Sequence, residues 1–418
     1  VKKYKVHLLI YSLVLAVHQS VQANESWIKG HLSTKIGHYL ERVSSPRGLN
    51  FFASAETEKK LSESFQFKLQ GRWKYQSLYE DLQAYSSDQK NTKELYWGET
   101  YIQNKSSHYV LTLGYQEVSW GESFGFNYAD LVNPKDNKMT LYSSSSEAKI
   151  PLLMANFKFF FQDGSLQLIY SPEPIFNKSL PISLFTTNLF PNLSVRSNAE
   201  QKPDLFEENE FGGKLSYSVS GFDVSAFYFD YLNREAHYSI QSLNATTLTL
   251  NENHARVKSL GISASTTINE AYVLRSDLVL HKDKLYNQST GTSLTSVKRS
   301  SMDGVFSLDT PTFSQFSFAF IGAFSLLEEK LTSGFRSKDQ IFSIVKVSYD
   351  FLEDKILDLS YTHQFNENGH SLQGQFTHPI TGNFEYKIGL ETYWGEKTSP
   401  LFQVKKINNV FVGLKNYF

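Results

Sequence analysis

The chain has 418 residues, with 41 Lys plus Arg against 42 Asp plus Glu and no cysteine. A balanced charge without a basic stripe gives no footprint for nucleic acid, and the lack of Cys removes both a disulfide framework and thiolate metal sites. With 33 Phe and 24 Tyr, and no apolar run of helical-span length beyond the first residues, the composition excludes a helical membrane protein. It leaves a large soluble β-protein or an outer-membrane β-barrel.

The chain opens with Lys2, Lys3 and Lys5 before an apolar run from Val6 to Val17, followed by Val21-x-Ala23. This pattern predicts a signal peptide over 1–23, cut after Ala23. Its removal takes away three positive charges and no acid, so the balance becomes 38 minus 42, or −4. Residues 24–418 are then expected to form one all-β domain.

From there, period-two alternation recurs in segments joined by short and long links in turn. A long link at 43–48 is followed by a short one near 60–62, then a long one at 80–92. Strand 93–103 carries Trp97 and Glu99, and the short turn at 104–108 leads to strand 107–118. There Tyr109, Leu111, Leu113 and Tyr115 share a face, which puts Thr112, Gly114, Gln116 and Trp120 on the other. Simple register sets Trp97 opposite Gly114, facing inward with Glu99.

Residues 119–149 contain Gly121, Gly125 and Asn133-Pro134 and cannot continue the strand. They are expected to fold inward as a loop. Phe157, Phe159 and Phe161 follow on one face. Later short links fall at 162–165, 220–221, 269–270, 310–312, 352–355 and 378–383, and long ones at 172–209, 236–253, 284–298, 328–338 and 395–407; 366–369 is a short exception. Phe316, Phe318, Phe320, Phe324 and Leu326 alternate with small residues, and Leu357, Leu359, Tyr361 and Phe365 oppose Asp358, Ser360, Thr362 and Gln364.

In 384–394, Phe384, Tyr386, Ile388 and Leu390 share the phase of Trp394, predicting a lipid-facing girdle position for that indole. The chain ends with Val410, Val412, Leu414 and Phe418 in one phase. This resembles the insertion signal of bacterial outer-membrane barrels, although Asn416 stands where an aromatic is common.

Short links on one side and long ones on the other predict a transmembrane, antiparallel, up-and-down β-barrel of about 18 strands, or about 16 if weak N-terminal strands are misread, in the bacterial outer membrane. Expected partners are outer-membrane lipids, the barrel-assembly machinery and a second copy of the chain; no cofactor is implied.

No H-E-x-x-H or calcium-loop pattern occurs, and Gly121-Glu122-Ser123-Phe124-Gly125, which has the spacing G-x-S-x-G, lies in a Gly-rich loop of an all-β chain and not at a strand-to-helix elbow, so no catalytic or metal-binding residue is assigned. A barrel can still bring Ser, His and an acid together across strands. Gly114-x-Gln116-x-x-x-Trp120-Gly121-Glu122-Ser123, with Asn133-Pro134-x-Asp136, resembles a segment of uncharacterised bacterial outer-membrane barrels. Some of these are encoded beside efflux pumps of the resistance-nodulation-division type that move lipid-like compounds. Those relatives commonly have Arg where this chain has Tyr115.

The resemblance implies an inward loop in a barrel handling apolar or amphiphilic molecules. The expected function is a non-enzymatic, porin-like channel or binding barrel for small polar or amphiphilic solutes. Glu99, Glu122, Asp130 and Asp136 would disfavour anions, and Trp97 and Trp120 would offer apolar surface or brace the loop, beside Gln116 and Asn133. The alternatives are a self-associating barrel that organises envelope lipids and a lipid hydrolase.

Overall fold

The computed structural model describes residues 28–40, 47–76, 93–123, 126–137, 148–179, 182, 193–198, 203–290, 293–331, 339–351 and 354–418. The expected signal peptide and parts of the 119–149 link lie outside the described residues.

The alternating segments form a closed wall of 18 antiparallel strands. In chain order these are β1 Lys29–Tyr39, β2 Arg47–Lys60, β3 Phe65–Gln76, β4 in two pieces (Lys93–Trp97 and Thr100–Lys105), β5 Tyr109–Gln116, β6 Leu152–Phe161, β7 Gly164–Ser171, β8 Glu210–Val219 and β9 Phe222–Leu232. The second half comprises β10 Arg256–Ile268, β11 Tyr272–Thr290, β12 Ser293–Asp309, β13 Phe316–Leu327, β14 Gln340–Phe351, β15 Lys355–Gln364, β16 Gly369–Thr381, β17 Phe384–Gly395 and β18 Asn409–Tyr417. Each strand pairs with the next, and β18 returns to β1 from His31↔Tyr417 to Tyr39↔Asn409. Closure pairs every wall strand on both sides, which is what a backbone in hydrocarbon requires.

Alternation separates two media. On β13, Phe316 and Phe320 are exposed outward, whereas Ala323 and Ser325 are buried inward. Leu113, Phe157, Phe159 and Phe161 follow the same rule, as predicted. Aromatic residues concentrate at both ends of the outer face. Towards the short-turn end, Phe351 meets Phe376, and His378 meets Tyr386. Towards the long-loop end, His370 stacks on Trp394 at 5.5 Å between centroids. Tyr386 and Trp394 are eight positions apart on β17, which in a tilted strand spans ~20 Å, the height of an apolar membrane band.

Two expected long links are in fact ordered as strands. Within 236–253, His237–Leu243 and Thr247–Asn253 pair as a hairpin, and Ser194–Asn198 adds to it in parallel. Leu248, Leu250, Val195 and Tyr238 form the core of this small sheet. The 284–298 link is largely the pairing of β11 with β12, which continues as far as Thr290↔Ser293. Both segments alternate Thr, Leu, Asn and Ser, and their polarity disguised them as loop.

Trp97 is a further correction. It faces Gly71 of β3 and is 56% exposed on the outer surface, beside exposed Leu95. The reason is a bulge. Between the pairs Gly71↔Trp97 and Lys68↔Tyr101, three steps along β3 match four along β4. One extra residue inverts the phase. Tyr101, not Trp97, is therefore opposite Gly114, while Glu99, past the bulge, faces inward to Lys68 at 3.0 Å. A Cβ at Gly98 would lie 2.0 Å from Gln70 Oε1, so any larger residue here would displace the Gln70 side chain.

Candidate functional site in the barrel lumen

The inward faces of β3, β5, β6, β7, β9 and β11 meet segment 117–137. Trp120 is fully buried. Its ring packs on Phe227 and Phe229 of β9, with centroids at 5.3 and 5.6 Å, and its Nε1 donates to Gln167 Oε1 of β7 at 3.1 Å. A Cβ at Gly212 would come within 2.9 Å of the indole, so this glycine makes room for it. Val118, Ala129, Val132, Leu152, Met154 and Val279 are among the other members of the apolar cluster.

After Trp120 the chain turns at Gly121, whose φ of 84° suits glycine. The next two backbone N–H groups, of Glu122 and Ser123, donate to the carboxylate of Asp277 on β11 at 2.8 and 3.0 Å. Phe126 then packs against Phe342 of β14 at 6.2 Å between centroids. Phe126 and Tyr128 cover a second inward cluster formed by Val305, Ile321, Ala323 and Ile344. The contacts of this segment thus run from β9 on one wall to β14 on another.

The neck of the segment is held by Asn133. Its Oδ1 accepts from Val118 N at 2.6 Å, and its Nδ2 donates to the carbonyls of Gln116 and Ile150, both at 2.9 Å. One amide thereby meets three backbone groups. Gln116 faces inward on β5, donates to Met154 O at 3.0 Å and accepts from Asn156 at 3.3 Å. Gly114, with φ of 131°, lets β5 approach β4 where a Cβ would meet Thr100 O at 2.3 Å. The resemblance segment is therefore a set of backbone anchors.

The four acids expected to repel anions each stand beside a cation. Glu99 pairs with Lys68, Asp136 with Lys74, Asp130 with Lys149 at 2.9 Å and Lys135 at 3.3 Å, and Glu122 with Lys214 at 3.6 Å. Such pairing cancels most of the field that an isolated carboxylate ring would produce. Arg72 of β3 pairs with Glu117 at 2.8 Å. Burial pushes the Glu117 carboxyl above the usual carboxylate range, and the Arg72 guanidinium opposes that shift.

The cations were legible as the inward phase Lys68, Gln70, Arg72, Lys74 of β3; their pairing with the segment was not. Asp277, Phe227, Phe229 and Phe342 carried no local signal at all. Trp120, with no exposed surface, braces the segment and presents no face to a solute. Trp394 is exposed on the outer face, as are Val410 and Val412. Phe418 exchanges backbone hydrogen bonds with Gly30.

Beneath the segment lies a polar cavity of about 280 Å³ lined by Lys158, Gln167 and Lys214, which form one cross-strand row, and by Ser165 and Ser216. Elsewhere on the inner wall, Ser259, His281 and Asp303 do meet across neighbouring strands. Ser259 Oγ is 2.7 Å from His281 Nδ1, and His281 Nε2 is 3.1 Å from Asp303. Ser259 is fully buried, and Tyr231 and Ser325 extend the chain of hydrogen bonds on either side.

No protein-family model matches the chain, and no curated protein matches it. Among solved structures, it is similar to OccAB3 of Acinetobacter baumannii, with a TM-score of 0.54 at 11% identity, covering 94% of this chain and 99% of that one. It is also similar to OccD3 (OpdP) of Pseudomonas aeruginosa, with a TM-score of 0.52 at 8% identity, covering 94% and 91%. The shared feature is the fold, that of an outer-membrane porin.

Proposed function

We propose that this chain is a non-enzymatic outer-membrane channel for small polar solutes, narrowed by segment 117–137. The observation that supports it most is the pair of contacts this segment makes with separate strands of the wall, Trp120 on Phe227 of β9 and Phe126 on Phe342 of β14. Solutes pass around it along walls of paired charge and neutral amide or hydroxyl. Full burial of Trp120 removes the apolar surface a lipid-like cargo would use, which favours polar cargo over the lipid-like class implied by the resemblance. We assign the Ser259–His281–Asp303 chain to holding strands together, because a nucleophile must reach its substrate. The phase of Val410, Val412, Leu414 and Phe418 is taken as the insertion signal.

Planar-bilayer recording tests the reading. The full chain is expected to give small, stable conductance steps, and removal of residues 121–130, which keeps the Asn133 neck, is expected to enlarge them severalfold. Equal steps in both proteins would remove the constriction. Silence from both would remove the channel.

A further inference from the structure

On the barrel exterior, Tyr228, Leu260, Leu280, Met302 and Leu326 form one row across β9 to β13, each the register partner of the next. They floor a shallow apolar groove of about 700 Å³. One step towards the long-loop end, Lys258 and Lys282 are register partners, both exposed and both on the groove's edge. Below them the outward phase of β10 carries Leu260, Ile262, Ala264 and Ile268, interrupted only by Thr266, over eight positions or ~20 Å of tilted strand. The lysines therefore stand where the apolar band meets the head-group layer, with their stems along leucine and their ammonium groups in the polar zone.

Like charges directly opposite each other destabilise a strand pair. Two acids belong to the same row, Asp230 and Glu328. Asp230 is held by Arg256 at 2.8 Å, and Glu328 stands at the far edge of the groove. Asp283 follows Lys282 in a bulge of β11. Neither Lys258 nor Lys282 forms an ion pair with a described residue. A phosphate between them would convert mutual repulsion into two charge-assisted contacts.

We propose that this groove binds one phosphorylated, multiply acylated lipid of the leaflet on the long-loop side, with its phosphate between Lys258 and Lys282 and an acyl chain over Leu260, Leu280 and Met302. The site is independent of the channel reading, since it needs only the barrel wall.

The test is native mass spectrometry of the full chain in mild detergent, titrated with lipid A, phosphatidylglycerol or phosphatidylcholine. One lipid A is expected to bind preferentially. The Lys258→Gln/Lys282→Gln double variant should bind it about tenfold more weakly or worse, since each lysine near a membrane surface adds to anionic-lipid affinity. Lys59→Gln, an exposed lysine near the short-turn end, should bind as the unaltered chain does. The barrel's β-sheet circular dichroism checks that the variants fold. Equal binding by the double variant, or equal retention of phosphatidylcholine, would overturn the site. Preference for phosphatidylglycerol over lipid A would overturn the choice of lipid.

Discussion

The guanidinium of Arg234 meets both carboxylate oxygens of Glu210, at 2.8 and 2.7 Å, and Glu210 is fully buried. The same guanidinium donates to Val132 O at 2.8 Å and Ile175 O at 3.0 Å, while Glu210 accepts from Leu232 N at 3.1 Å. One ion pair thus joins the rim of β8 and β9 to the end of the lumen segment and to the link after β7.

Removing one partner of such a pair leaves a buried charge uncompensated. Glu210→Ala is expected to lower stability by about 3–5 kcal/mol, and the double change Glu210→Leu/Arg234→Met by clearly less. Urea unfolding of the barrel in lipid vesicles, followed by tryptophan fluorescence, measures both. If the double variant is the weaker of the two, the pair contributes net stability and the desolvation argument fails here.

Asp277 should decide how firmly the segment is held. Hydrogen bonds to a charged group contribute about 1.5–3 kcal/mol each, so Asp277→Ala is expected to speed hydrogen exchange at the amides of Glu122 and Ser123 by at least tenfold. Asp277→Asn, which keeps one acceptor oxygen, should give an intermediate rate. Unchanged exchange in the Ala variant would show that the apolar contacts of Trp120 and Phe126 suffice.

His254, in the link between β9 and β10, gives a pH dependence. Burial is the main cause of its pKa falling to about 4, against the hydrogen bond to Asn233 O, which raises it. The ring stacks on Phe176 at 3.6 Å. Since the unfolded chain takes up the proton near pH 6.5 and the folded chain only near 4, stability is full above 6.5 and is lost as pH falls towards 4. The loss is at most about 3 kcal/mol. Thermal unfolding at pH 7.5 and 4.5 should show a larger drop for the unaltered protein than for His254→Phe; equal drops would rule out this histidine as the source.

Legibility differed by level. The wall was readable because a strand between lipid and water must alternate, so the Phe face of β13 and the Leu357, Leu359, Tyr361 face of β15 reported their surroundings directly. The His237–Leu243 hairpin was missed because it stands clear of lipid, where neither face needs a continuous apolar run. Trp97 was misplaced because a bulge at Gly98 is a matter of register between two strands, and one residue reverses every side chain beyond it.

The resemblance segment shows the same division. Gly121, Asn133 and Pro134 announced a turn through their own backbone preferences, which are local. That Asn133 would close the neck, that Asp277 would hold Glu122 and Ser123 from 154 positions or more away, and that each acid would find a cation depended on curvature of the whole wall. Sequence alone determined the alternation, the link lengths and hence an all-β barrel, because hydrophobic burial and turn chemistry act within a few residues. Only the tertiary structure decided which polar groups meet in the lumen, because closing the barrel brings together side chains whose sequence separation carries no record of their contact.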